Sequence, residues 1–120
     1  MENNKAYKKI IAWQSAHQFA LKVYQISKKF PKEELYGVTS QLRRAALSVP
    51  TNIVEGSARH GARELKNFLN IALGSLAEAE YLLEFCKEAG YLTSEDYQAL
   101  EILRSRTGLP LWNFHRSIGN

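Results

Sequence analysis

The chain has 120 residues, a single cysteine, and 16 Lys and Arg against 12 Asp and Glu, for a net charge of +4. That length suits one domain with a four-helix core and excludes two independent ones. One cysteine excludes an internal disulfide, and no apolar run approaches the about 18 residues that span a membrane, so a cytoplasmic protein is expected.

Residues 1–8 are polar, carry no apolar leader core, and read as a flexible arm. Helix one is predicted from about Ile10 to Phe30. Its seam of Ala12, Ala16, Phe19, Val23, Ile26 and Phe30 recurs in steps of three and four, the spacing of one helical face. Pro31 ends it, because the residue before a proline avoids helical geometry. Helix two is predicted from about Glu34 to Arg59, with Leu35, Val38, Leu42, Ala45, Val49 and Gly56 on its seam and Asn52 falling on the same line. Pro50 costs roughly 3 kcal/mol in a helix interior. The seam keeps its phase on both sides of it, so the helix is expected to kink near Ala46–Pro50 rather than split in two.

Gly61 closes helix two. Helix three is predicted from Ala62 to Ala89, at about 1.5 Å per residue roughly 40 Å long. Leu65, Leu69, Ala72, Leu76, Ala79, Leu83 and Cys86 form its seam, and Gly90 supplies a left-handed end. Thr93 caps helix four, with Asp96 three residues on in a weakened capping box. Its seam runs through Tyr97, Leu100, Leu103, Thr107, Leu111, Phe114 and Ile118, and Gly108-Leu109-Pro110 is expected to set the last turns apart as a separate helix. No stretch alternates in the manner of a strand. Four helices with short connections give an all-α, antiparallel up-down-up-down four-helix bundle.

The stretch Leu42-Arg43-Arg44-Ala45-Ala46, followed by Ser48-Val49-Pro50-Thr51-Asn52-Ile53-Val54-Glu55-Gly56, resembles the signature of the bacterial four-helix-bundle family encoded in intervening sequences of 23S rRNA genes. A related branch is the accessory variability protein of diversity-generating retroelements. The likeness continues in Phe68-Leu69-Asn70-Ile71-Ala72-Leu73-Gly74-Ser75-Leu76-Ala77-Glu78 and in Ala89-Gly90-Tyr91-Leu92, and covers nearly the whole chain. Val54 departs from it, standing where alanine is more usual. The resemblance implies a closed homopentamer. Its retroelement branch implies a ring that holds a reverse transcriptase and its template RNA.

Antiparallel packing sets the starts of helices one and three beside the finishes of two and four. Lys5, Lys8, Lys9, Arg59, His60, Arg63, Lys66 and Arg116 then gather at one end, with His115 and with Glu64 as counter-charge. Such a cluster attracts phosphate in a salt-dependent way, and Tyr7, Trp112 and Phe114 near it suit stacking on unpaired bases. The other end is mixed: Lys28, Lys29 and Lys32 face Glu33, Glu34, Glu84, Glu88, Glu95 and Asp96. Ile71, Gly74, Tyr81 and Phe85 on helix three, with Leu47 and Val54 on helix two, lie off the main seams and argue for self-association.

Catalytic constellations are not found. None of His17, His60 and His115 has a glutamate three residues before it, as a di-iron bundle requires, and His60 with Glu64 makes two ligands and no site. Cys86 reads as a buried, inert thiol. No phosphate-cradling glycine loop is present. Arg43, Arg44, Asn52, Glu55, Gly56, Gly74, Ser75 and Glu78 read as a polar network that fixes helix register and subunit contact, since buried carboxylates persist only when paired. The expectation is a non-enzymatic RNA-associated accessory protein without cofactor or metal: an oligomeric ring with a basic rim and structured RNA as partner. The alternative is a protein-interaction scaffold without nucleic acid, such as a reverse-transcriptase accessory ring.

Overall fold

The computed structural model describes residues 5–119. Four helices carry the chain: α1 (Ile11–Ser27), α2 (Ser40–Ser57), α3 (Ala62–Glu88) and α4 (Ser94–Ser117). Each buries the middle of the seam its spacing predicts, while Leu35 falls before α2 and is 44% exposed. Phe19, Val23, Leu42, Val49, Ile53, Leu69, Leu83, Leu100 and Leu111 are wholly buried in one continuous core. At about 1.5–3 kcal/mol for each such side chain taken from water, this burial dominates the fold's stability.

Contacts between helix ends fix their mutual placement. Arg43 near the start of α2 donates to Ser27 Oγ at the end of α1 (2.8 Å). Tyr91, just past α3, donates to Glu34 before α2 (3.1 Å). Lys29, past α1, pairs with Asp96 in the first turn of α4 (2.6 Å). Lys66 near the start of α3 donates to the Ile118 carbonyl past α4 (3.2 Å). Midway along, Arg104 of α4 grips Glu101 through two bonds of 2.7 and 2.8 Å and reaches Glu80 of α3 at 3.5 Å. That clasp holds its guanidinium above the usual arginine range, through the bond to Glu101.

The helix ends follow the local chemistry. Thr93 Oγ1 accepts from the Asp96 amide at 3.0 Å, capping α4. Gly90 takes φ +86°, and the bonds from the Gly90 amide to the Lys87 carbonyl and from the Tyr91 amide to the Cys86 carbonyl close α3 as a Schellman motif. Of the expected arm, residues 1–4 lie outside the described residues, while Ala6–Lys9 form one turn of 3-10 helix.

Three boundaries differ from expectation. α1 stops at Ser27, with Lys28–Phe30 in a tightened final turn. α2 starts at Ser40 rather than Glu34, because Gly37 leaves helical geometry (φ −112°, ψ −117°) within a wide turn over Leu35–Thr39. α4 runs unbroken through Gly108-Leu109-Pro110. There Thr107 and Leu111 are fully buried on either side of the proline, so packing outweighs the lost backbone bond. α2 likewise passes through Pro50 as one helix, with Ala46, Val49, Pro50 and Ile53 all buried.

The α2–α3 crossing rests on Gly56. A Cβ there would lie 2.9 Å from Phe68 Cβ and 3.0 Å from Leu65 Cδ1. Alanine would gain about 1 kcal/mol of helix propensity but lose about 1–3 kcal/mol to overpacking. Gly56→Ala is therefore expected to lower the melting temperature by about 5 °C, measured by circular dichroism. An unchanged or higher value would show that the two helices tolerate a wider crossing.

Candidate nucleic-acid interface

The turn between α2 and α3 presents the cations that the sequence singles out. α2 ends at Ser57, Gly61 takes φ +97°, and α3 starts at Ala62 with Glu64 in its first turn, complementing the positive helix end. Arg59, His60 and Arg63 are exposed and Lys66 is half-buried. They are not equivalent. Arg59 lies over the Phe68 ring, 4.9 Å from its centroid, and pairs with Glu55 at 3.1 Å, so its charge is already engaged within the chain. Arg63 and Lys66 line an open cleft of about 360 Å³ together with Asn67, Asn70 and Gly119. The bond from Lys66 to the Ile118 carbonyl draws the end of α4 to this cleft. Arg116, exposed, stands in the last turn of α4.

Lys8 and Lys9 end the N-terminal 3-10 turn, which packs on α2, and Lys5 precedes it. Gln14 pins that turn by donating to the Lys8 carbonyl (2.7 Å). Tyr7 meets Trp13 edge-on at 5.0 Å, and Trp13 stacks on His17 at 4.8 Å. Tyr7 is thus one of a packed row of three rings. Trp112, 47% exposed, stacks on His115 at 5.7 Å, while Phe114 packs against the core. Both His115 nitrogens are buried without a partner.

The eight residues read from the sequence as one polar network separate into distinct contacts. Asn52 donates to the carbonyl and hydroxyl of Ser48 (2.8 and 2.9 Å), and the hydroxyls of Ser48 and Ser75 meet at 2.8 Å, tying α2 to α3. Arg43 turns away, to Ser27 and to the face of Tyr24, 5.0 Å from the ring centroid. Arg44 is exposed on a shallow cleft that Ser75 and Glu78 also line. Glu55 pairs with Arg59, and Gly56 serves the helix crossing. At Gly74 no atom stands within 4 Å of where a Cβ would be, so within this chain it meets no neighbouring helix. Sequence reasoning missed Ser48, Asn67 and Asn70. Their spacing held the signal: Ser48 lies four residues before Asn52, and Asn67 and Asn70 follow Arg63 by four and seven.

Among the described residues, no group of three or more His, Cys, Asp or Glu is placed to hold a metal ion. No helix among them is long and apolar enough to cross a membrane. Burial pushes the Cys86 thiol up to about 11, from an ordinary value of 9.0. The native state then keeps a proton that the unfolded chain releases, so the thiol's contribution to stability is full below about pH 9 and is lost as pH rises to about 11. Native Cys86 is expected to react with a thiol reagent at pH 8.5 at least about 100-fold more slowly than in denaturant. Equal rates would show that the helix pair opens at Cys86.

Residues 8–108 match the family described as 23S rRNA-intervening sequence protein. Among solved structures, a protein of unknown function from the S23 ribosomal protein family of Bacteroides thetaiotaomicron superposes with a TM-score of 0.82 at 24% identity, covering 89% of this chain and 96% of that one. At that identity the likeness establishes the fold. No curated protein matches the chain. With a match over most of its length and a four-helix structure to go with it, the chain belongs to the 23S rRNA-intervening sequence protein family.

Proposed function

We propose that this protein is a non-enzymatic, RNA-associated accessory protein that works as a self-assembled ring, a pentamer by the resemblance, and meets structured RNA with its basic end. The observation that carries the reading is the cleft where Arg63 and Lys66 stand beside two asparagine amides. Cations supply phosphate attraction, and amides supply donors and acceptors for sugar and base edges. Membership of a family named for rRNA intervening sequences supports the RNA class.

Self-association is supported by the outer face of α3. Ile71, Tyr81 and Phe85 are 51%, 63% and 46% exposed, and with Gly74 and Glu78 between them the positions fall in steps of three, four, three and four. Leu47 of α2 is exposed as well. Apolar side chains repeated at helical spacing on a solvent face suit a second copy better than water. A ring would bring several basic ends to one rim and multiply the local charge. The same face equally favours the second reading, a docking platform for a protein such as a reverse transcriptase, with no nucleic acid bound.

Two outcomes are expected. Structured RNA binds at low salt, with an affinity falling linearly in log–log form as salt rises. Changing Arg63, Lys66 and Arg116 to Ala reduces that slope by about 2, as read by fluorescence anisotropy. An intact assembly that ignores RNA at low salt contradicts the RNA reading and leaves the protein-platform one. Separately, light scattering is expected to give a multiple of the 13.7 kDa chain mass, and Tyr81→Glu with Phe85→Glu to return it to a monomer. A wild-type monomer contradicts the ring.

A further inference from the structure

A second cationic site lies at the other end of the bundle, where the sequence suggests only mixed charge. Between the end of α1 and the wide turn before α2 is a cleft of about 240 Å³. Ser27, Lys28, Lys32, Thr39 and Arg43 line it on the polar side and Phe30 and Leu35 on the apolar side, with no carboxylate in the lining.

Two features set it apart from a solvated basic face. The first is Arg43. Its guanidinium is half-buried and held by the bond to Ser27 Oγ and by the Tyr24 ring, and no carboxylate comes within ion-pair distance of it among the described residues. Lys28 and Lys32 have no such partner there either. A positioned, partly desolvated arginine without a counter-ion is a standing electrostatic cost that an anion would relieve.

The second is Thr39. It is 2% exposed and its Oγ1 has no hydrogen-bond partner among the described residues. Threonines inside this protein's helices satisfy themselves on the carbonyl four residues back, as Thr51 does on Leu47 and Thr107 on Leu103. Thr39 ends the turn in which Gly37 leaves helical geometry, and does not make that bond. A buried hydroxyl with its hydrogen bond unmade is destabilising, because it has left water without gaining a partner. Its place here, on the wall of a cleft carrying three cations, is where an anion's oxygen would complete it.

We propose that this cleft binds a phosphate group. An arginine fork, two flexible ammonium groups and a hydroxyl donor suit a tetrahedral anion with several acceptor oxygens better than a planar carboxylate, which the fork alone would satisfy. The apolar wall of Phe30 and Leu35 leaves room for the body that carries the phosphate. This site stands apart from the Arg63–Lys66 cleft and does not depend on the RNA reading.

The test is amide NMR of the whole protein at low ionic strength, titrated with inorganic phosphate, with AMP and with adenosine. Phosphate is expected to shift the Thr39, Ser40 and Arg43 amides with a dissociation constant of millimolar or better. AMP binding more tightly than inorganic phosphate assigns the site to a phosphate ester, and equal affinity assigns it to free phosphate. Lys28→Ala with Lys32→Ala, both exposed, should weaken binding at least tenfold without moving the melting temperature. Thr39→Val should weaken it several-fold while leaving the protein no less stable, which a purely structural hydroxyl would not do. Absence of shifts at 10 mM phosphate, shifts that survive both variants, or adenosine binding as well as AMP would overturn the proposal.

Discussion

The missing side chain at Gly56 is the constraint on which the geometry of the α2–α3 turn depends. With no Cβ in the way, Leu65 and Phe68 close onto α2, and the helix pair then turns through Gly61 in a conformation that glycine adopts without strain. That geometry sets Arg59 over Phe68, leaves Arg63 facing outward, and places Lys66 where it meets the end of α4. The placement of these three side chains is thus a consequence of a packing contact. The charge would be present in any fold of this sequence, whereas its collection beside a cleft requires the close crossing.

Hydroxyl and amide side chains perform much of the work between helices. Ser48 and Ser75 link α2 to α3, and Ser27 orients Arg43 across α1 and α2. Such bonds are each worth about 1 kcal/mol net. Their larger effect is on rotation and register, because a seam of Ala and Leu alone tolerates sliding. The Arg104 clasp does the same for α3 and α4, with its charge spread over two carboxylates.

The helices were legible because burial is periodic: Phe19, Leu42, Leu69 and Leu100 each stand on the seam their spacing defines, and Thr93 and Gly90 mark ends through local chemistry that needs no tertiary knowledge. The failures came where packing overrides local preference. Pro110 continues a helix because the buried residues around it hold the helix in place, and Gly37 delays one although Leu35 and Val38 extend its pattern. The candidate site was legible as a collection of charges and no further. Sequence order brings Arg59, His60 and Arg63 together, but which cation is already engaged by Glu55 or by a backbone carbonyl depends on side-chain direction across helices. For the same reason the sequence places Arg43 only within a polar network or subunit contact, and the helix packing is what shows its bond to Ser27.

The proposed RNA contact lies at the end where α2 turns into α3 and α4 finishes. Hydrogen exchange of the whole protein, with and without structured RNA at low salt, tests it most directly. Slower exchange is expected over residues 58–66 and in the last turn of α4, with the outer face of α3 unchanged by RNA. Protection absent from that end, or concentrated on the exposed stripe of Ile71, Tyr81 and Phe85, would contradict it.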